Sequence, residues 1–208
     1  MKPLPNQSQA GGLRGGLLLI ILVLGALWYG GQGVYTAYRN QKITSLTLAE
    51  YEKQRPDAEW IEFKGAYLDI PETVTMSRKG KIESLYIPLR PDAGGDEMIH
   101  VVLHTKSMDY LRLADELNTI KSPEEAKKFL LTNMDRIYPK KDVQGLVEFG
   151  VNLKEKERSQ VEKLNTKLAP NFVIISDGEK PNMPLYGGIL AAGIVIPLLV
   201  LKSRKNAA

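Results

Sequence analysis

The chain has no cysteine and only two histidines among its 208 residues. Without cysteine it can form no disulfide, and it has no thiol nucleophile and no cysteine-ligated metal. Charged residues are also missing from two long stretches near the ends, so the polar side chains are concentrated between them. A middle region of this size without disulfides has to be stabilised by its own hydrophobic core.

The two uncharged stretches are Leu17–Tyr35 and Pro184–Leu201. A helix needs about 20 apolar residues to cross a bilayer core of roughly 30 Å, so each stretch predicts a transmembrane helix. The first stretch has an alternative interpretation as a cleaved signal peptide, with small residues at Gly31 and Gly33 as the cleavage site. It runs past the length of a typical signal core, and this favours an uncleaved anchor.

Charges beside the two stretches predict the orientation. The flanking basic residues outside them have no acidic neighbours; they are Lys2, Arg14, Lys202, Arg204 and Lys205. The positive-inside tendency therefore predicts that both tails are cytoplasmic and that the middle domain is extracytoplasmic, although Arg39 and Lys42 argue weakly the other way. The compact size and the lack of cysteine suggest a bacterial inner membrane.

The chain accordingly divides into five predicted segments: a disordered cytoplasmic tail at 1–15, a first transmembrane helix at 16–38, an extracytoplasmic α+β domain at 43–181, a second transmembrane helix at 183–201, and a cytoplasmic tail at 202–208. Seven of the 28 basic residues and none of the 24 acidic residues lie outside the domain, which is left with 21 basic and 24 acidic residues and a net charge of −3. The basic flanks suit a lipid bilayer, and the acidic domain argues against a nucleic-acid partner.

The domain has a recognisable order of elements. Thr47 and Glu50 form a capping box that begins a short helix ending near Gln54. Gly65 lies where the apolar alternation of the first strand changes phase, which predicts a β-bulge. The further expected elements are strands at 59–70, 81–90, 98–106, 143–154 and 172–176, and helices at 107–118, 122–137 and 156–168.

Five strands with a helix between the third and the fourth are typical of an antiparallel, OB-like β-barrel. The predicted fold class is therefore α+β, with two terminal transmembrane helices flanking this barrel and three to four helices. A generic α+β sandwich is the competing interpretation, because the helix before the fifth strand departs from the simple barrel pattern.

No cluster of residues reaches a catalytic signature, and no cofactor or metal site is predicted. His100 and His104 lie four residues apart in a strand-like segment, so their rings stand about 13 Å apart and cannot share one metal ion. The acidic turn with Asp92, Asp96 and Glu97 lacks the spacing of a known calcium loop and is interpreted as solvated. The basic run from Arg78 to Lys81 is interpreted as a hairpin tip.

The two apolar stretches carry a more specific pattern, because small residues recur at a spacing of four, which lets helices approach closely in lipid. The predicted helix-packing residues are Ala26, Gly30, Gly33, Ala37, Gly187, Gly188, Ala191 and Ala192. The first expected partner of each helix is the other helix of the same chain.

These observations predict a non-enzymatic, membrane-anchored protein. Its extracytoplasmic domain is expected to bind a partner protein or lipid near the bilayer, as a subunit, scaffold or assembly factor of a membrane complex; self-association is another expected mode. The alternative is a periplasmic-side, hydrolase-like enzyme with a dispersed active site, in which His100 or His104 is the base.

Overall fold

A computed structural model of the chain describes residues 9–148, 159, 161–162 and 167–206. The chain divides into two compact units. One unit contains both terminal segments, up to Gln41 and from Pro181 onward. The other unit is the domain Lys42–Lys180.

The terminal unit contains two long helices, α1 (Gln9–Arg39) and α6 (Met183–Asn206). Each is long and apolar enough to cross a membrane, over Gly16–Arg39 and Met183–Val200 respectively. Large apolar side chains on both helices point outward; Leu22, for example, is 71% exposed. Such exposure is unfavourable in water and is the normal condition of a helix in lipid.

The domain is built on one mixed sheet of seven strands in the order β1-β2-β6-β7-β5-β4-β3. The strands are β1 (Thr44–Leu46), β2 (Trp60–Leu68), β3 (Val74–Arg78), β4 (Lys81–Arg90), β5 (Ile99–Thr105), β6 (Lys140–Glu148) and β7 (Leu168–Asp177). Neighbours are antiparallel except for the β1–β2 and β5–β7 pairs, which are parallel. β2 also pairs with β4, through Tyr67 with Arg90 and Leu68 with Leu89.

Four helices of the domain are described: α2 (Leu48–Gln54), α3 (Met108–Thr119), α4 (Pro123–Thr132) and α5 (Met134–Ile137). The predicted capping box of α2 is confirmed, with Thr47 and Glu50 bonding each other's backbone N–H groups. Ser122 caps α4 by accepting from the backbone N–H of Glu125, and Pro123 stands in the first turn of the helix. Ser107 precedes α3, but its side chain makes no capping hydrogen bond.

The main core lies on one face of the sheet. Ile61, Phe63 and Leu68 of β2 are fully buried there, together with alternating apolar residues of β4 and β5. The ring of Tyr51 on α2 packs edge-to-face on Phe63, with ring centroids 5.2 Å apart. A smaller cluster containing Tyr86 and Val102 covers the opposite face, so the central strands are buried on both sides.

The bulge predicted at Gly65 is confirmed. The register between β2 and β6 shifts between Phe63 and Ala66, and Gly65 adopts a φ of +58°. Glycine suits this left-handed conformation because it has no Cβ to clash. The backbone N–H of Gly65 donates to the Asp142 carboxylate at 2.8 Å, which uses the amide that the bulge frees from the ladder.

The expectation of an all-antiparallel, five-stranded sheet was wrong, because β5 and β7 run parallel and the sheet also contains β1 and β3. β1 is only three residues long, which is too short for an alternation of apolar and polar residues to be recognised. β3 has a weak alternation, and its hairpin with β4 closes through Lys79 and Gly80, which both have positive φ. Two consecutive left-handed residues form the tight turn that matches the twist of a hairpin.

The helix predicted over 122–137 is interrupted at Asn133, whose side-chain amide donates to the carbonyl of Phe129. Asparagine competes in this way with the regular helical hydrogen bonds. Leu168, expected in a helix, is instead the first residue of β7. The predicted continuation of β6 to residue 154, and most of the helix predicted over 156–168, lie outside the described residues.

Candidate functional site

A cleft of about 450 Å³ lies in the domain between α2 and the segment that joins β4 to β5. This volume falls in the range of roughly 300–1,000 Å³ that is usual for ligand sites. Its described lining consists of Leu48, Ala49, Glu52, Leu89, Pro91, Glu97, Met98 and His100. Five of these side chains are apolar, two are carboxylates and one is an imidazole.

The position of α2 is fixed at both ends. The capping box holds its first turn, and burial of Leu48 and Tyr51 fixes the face that packs on the sheet. Arg55 ends the helix in a left-handed conformation with a φ of 43°. A non-glycine residue in this conformation costs roughly 1–2 kcal/mol, which its contacts have to offset.

The Arg55 guanidinium makes three such contacts. It lies over the Tyr51 ring, 5.0 Å from the centroid. It donates to the backbone and side-chain oxygens of Asn171 in β7, at 3.0 and 3.2 Å. Its Nη2 atom lies 2.5 Å from Nδ1 of His100. These contacts tie the end of α2 to β7 and to β5, whose residue His100 lines the cleft.

His100 is held from both sides. Its Nε2 lies 3.2 Å from a carboxylate oxygen of Glu52, while its Nδ1 faces the guanidinium of Arg55. Because a guanidinium only donates, the arrangement assigns Nδ1 as the acceptor and Nε2 as the protonated nitrogen. Neither nitrogen is then left to take a proton from a substrate, and the ring serves to join α2 to β5.

The opposite wall is held by Arg90, the last residue of β4, whose side chain is only 2% exposed. Its Nε bonds Asp69 at 2.6 Å and its Nη2 bonds Glu72 at 2.6 Å. Its Nη1 donates to the backbone carbonyl of Glu97 at 2.8 Å. The buried guanidinium thus fixes the backbone at Glu97, which lines the cleft.

Burial raises the pKa of the Asp69 carboxyl, and the neighbouring Arg90 guanidinium opposes that rise. Burial acts to lower the pKa of Arg90, but the hydrogen bonds to the Asp69 and Glu72 carboxylates outweigh it and raise that pKa. The network continues to the surface, where Lys167 contacts both Glu72 and Asp96. The hydrogen bond from Lys167 lowers the pKa of Asp96.

The carboxylate of Glu97 differs from these groups. The side chain is exposed at the edge of the cleft, and no cation of the described residues pairs with it. Met98 beside it is a large apolar side chain that is 51% exposed. The mouth of the cleft therefore combines an unneutralised negative charge with an exposed, flexible apolar group.

The other residues singled out from the sequence lie elsewhere in the domain. His104 is on β5 and stacks on its cross-strand neighbour Tyr86, with ring centroids 4.6 Å apart. The basic run is the exposed tip of the β3–β4 hairpin. The described residues contain no cluster of three or more side chains suited to a metal ion.

The small residues predicted for helix packing fall into two sets. A Cβ added at Gly30 would lie 2.7 Å from the backbone nitrogen of Leu190, and one at Gly33 would overlap the ring of Tyr186. At Gly187 and Gly188 an added Cβ would meet no atom within 4 Å. A Cβ added at Gly193, which the spacing pattern does not select, would lie 3.2 Å from the Cβ of Ala26.

Sequence reasoning considered His100 and the acidic turn separately and did not bring them together with α2. Glu52 and Arg55 were not selected, because 45 residues separate Arg55 from His100. One signal was present in the sequence: Arg55 lies between a capped helix and Pro56, a position where a helix must end.

Comparison of the chain with protein-family models, with curated proteins and with solved structures finds no match to any of them.

Proposed function

We propose that this chain is a non-enzymatic, membrane-anchored binding protein whose domain binds a partner protein close to the bilayer. The observation that carries the proposal is the cleft beside α2, which has a preformed shape and an apolar and acidic lining. Both nitrogens of its only histidine are engaged by Glu52 and Arg55. The site therefore has the character of a binding surface, in which neither nitrogen of the histidine is free to act as a general base.

The proposed topology has two transmembrane helices, with both tails in the cytoplasm and the domain on the extracytoplasmic side of an inner membrane. The membrane-length helices α1 and α6 and the basic residues beside them support it. Only four residues separate α1 from β1, and five separate β7 from α6. These short connections tether the domain to the bilayer at both ends, which suits a subunit or an assembly factor of a membrane complex.

Within the membrane we propose that α1 and α6 pack against each other through small residues. The close approaches at Gly30, Gly33 and Gly193 support this pairing, since a larger side chain at any of them would meet the other helix. Gly187 and Gly188 lie away from that contact, so with Ala191 and Ala192 they are proposed to serve a further helix.

For the domain we propose an OB-like barrel of β2, β4, β5, β7 and β6. The support is the ring of pairings in which each of these strands bonds to two others, including the β2–β4 pair. α3, α4 and α5 lie between the third and fourth of these strands in the chain, where the OB-fold has its helix. β1 and β3 extend the ring at β2 and β4.

A photo-crosslinking amino acid at Met98, in the full chain in native membranes, tests the binding function. We expect one adduct of defined mass, which is lost when Ala49→Trp fills the cleft. Lys53→Trp on the same helix is the matched control and should leave the adduct unchanged, because Lys53 does not line the cleft. No adduct at Met98, or one that both tryptophan variants leave intact, would contradict the proposal.

The enzyme remains the second candidate, because His100 lies beside a carboxylate in a cleft. A hydrolase would turn over a simple chromogenic ester in a manner that His100→Gln abolishes and His104→Gln preserves. We expect no turnover by the purified chain, since neither nitrogen of His100 is available as a base.

A further inference from the structure

The lining of the cleft beside α2 defines the chemistry of what it holds. Among the residues that the structure describes, the charged groups of the lining are the carboxylates of Glu52 on α2 and Glu97 on the β4–β5 segment. The Glu52 side chain is 59% exposed, and within the described part of the chain its carboxylate pairs with the rim histidine, His100. The Glu97 carboxylate has no cationic partner among the described residues. A ligand that neutralises these groups has to carry a positive charge.

The apolar part of the lining excludes a simple cation. Leu48, Leu89 and Met98 line the same cleft as the two carboxylates. Arginine and lysine have this dual character, because the methylene stem packs on apolar surface while the charged head reaches polar groups. Met98 suits such a ligand, since the flexible thioether adapts to different shapes.

The size of the cleft points to a protein segment. Its volume of 450 Å³ equals that of about fifteen water molecules at roughly 30 Å³ each, which is more than an amine headgroup fills. Anionic lipid headgroups are disfavoured, because both carboxylates would repel them. A basic side chain with an adjacent apolar side chain matches both the volume and the lining.

We propose that the cleft beside α2 binds a segment of a partner protein in which an arginine or lysine stands next to a large apolar residue. Glu97 pairs with the basic head, and Leu48, Leu89 and Met98 bury the apolar neighbour. Arg90 acts as a positioning residue, because it holds the Glu97 backbone in place before the ligand arrives. This inference rests on the proposed binding function and specifies the partner.

The test uses the full chain in neutral detergent, with its methionine methyl groups labelled for NMR. The probe is a capped Gly-Leu-Arg-Leu-Gly peptide, compared with Gly-Leu-Gln-Leu-Gly, Gly-Ala-Arg-Ala-Gly and ethanolamine. We expect a saturable shift of the Met98 signal with the first probe only. Met108 and Met134 are exposed outside the cleft and serve as internal controls.

Glu97→Gln should weaken binding of the arginine peptide about five- to tenfold, the value of one charge-assisted contact of about 1–1.4 kcal/mol. Glu83→Gln removes the same charge from an exposed site of β4 outside the lining and should leave the affinity unchanged. Equal binding of the glutamine peptide, equal binding of ethanolamine, or no effect of Glu97→Gln would overturn the inference.

The two proposals fail in different ways. If the Met98 adduct forms in membranes and is lost in Ala49→Trp, but the arginine peptide does not bind, the binding function stands and the basic segment is wrong. If neither the adduct nor the peptide shift is seen, both are wrong.

Discussion

At the scale of single residues, Arg90 is a buried charge that three separate groups hold in place. It is fully buried, and it bonds two carboxylates and a backbone carbonyl. A buried ion pair gains little over an apolar pair, but removal of one partner leaves an uncompensated charge. The network therefore fixes the geometry of the β4–β5 segment more than it adds net stability.

Arg90→Met should lower the free energy of unfolding by about 3–5 kcal/mol, because it leaves the Asp69 carboxylate buried without its cation. Adding Asp69→Asn should recover a substantial part of that loss, since the amide needs no counter-charge and still accepts from the Glu72 backbone N–H. Chemical denaturation of the full chain in detergent measures both. Equal losses in the single and double variants would show that the pair is not coupled.

The same variant has a defined pH dependence. Burial already raises the pKa of Asp69 in the folded chain, and loss of the guanidinium that opposes it must raise that pKa further. A folded-state pKa above the unfolded value of about 3.9 means that the folded protein binds the proton more tightly. The deficit of Arg90→Met should therefore shrink as the pH falls through the folded pKa and grow as the pH rises.

At the scale of elements, α2 and α3 differ in how they begin: both are preceded by a residue suited to capping, but only the residue before α2 makes the capping hydrogen bond. Thr47 accepts from the backbone N–H of Glu50, and Glu50 accepts from the backbone N–H of Thr47 at 2.7 Å. The backbone hydrogen bond from Thr47 also lowers the pKa of Glu50. Ser107 occupies the equivalent position before α3 without making the bond.

Thr47→Ala should therefore cost about 1 kcal/mol of stability. Ser107→Ala, the matched control, should change it by less than about 0.5 kcal/mol, since no capping bond is lost. Urea denaturation of the two variants in parallel measures the difference. An equal loss in the free energy of unfolding for the two variants would contradict the prediction that Thr47 caps its helix and Ser107 does not.

The pairing of α1 with α6 is the second prediction at this scale. Because the chain lacks cysteine, Ala26→Cys with Gly193→Cys gives one defined pair, and the Cβ atoms at these positions are 3.2 Å apart. This is close to the 3.5–4.5 Å usual in disulfides, so the pair should oxidise readily. Cleavage at a protease site inserted in the 91–98 segment reveals the crosslink as fragments that separate only on reduction.

Gly30→Ile should slow this crosslinking severalfold, because its side chain would meet the backbone of Leu190. Gly31→Ile is the control, since a Cβ at Gly31 meets no atom within 4 Å. Equal rates in the two variants would contradict helix packing through Gly30.

At the scale of the whole molecule, charge is divided between the terminal segments and the domain. The basic pI of about 9.1 comes from the terminal segments, whereas the domain is mildly acidic. Basic residues concentrated in the tails support the proposed orientation, with both tails in the cytoplasm.

Single cysteines report the topology in a chain that has none of its own. Lys79→Cys, at the exposed hairpin tip, should react with a membrane-impermeant maleimide in intact spheroplasts. Ser8→Cys and Ser203→Cys should react only after the membrane is opened. Labelling of the tail positions in intact spheroplasts, with protection of Lys79→Cys, would reverse the orientation.

The features of the fold that depend on local sequence patterns could be predicted. The apolar stretches, the Thr47–Glu50 cap, the bulge at Gly65 and the alternation of β4 and β5 each depend on neighbours within a few residues. β1 and β3 could not, since short strands are stabilised by the sheet they join and not by their own pattern. For the site, the sequence drew attention to His100 and Glu97 but gave no reason to place Glu52 or Arg55 beside them.

The sequence by itself determined the class of this protein: two apolar helices of membrane length, a cysteine-free acidic domain between them, and no catalytic motif. These properties follow from composition, net charge and the length of apolar runs, which do not depend on how the chain folds. The tertiary structure decided where the cleft proposed as a binding surface lies. Glu52, Leu89, Glu97 and His100 are distant in sequence or on different elements, and they line one cleft because the sheet and the core bring those elements together. Arg55 and Arg90 add hydrogen bonds between them.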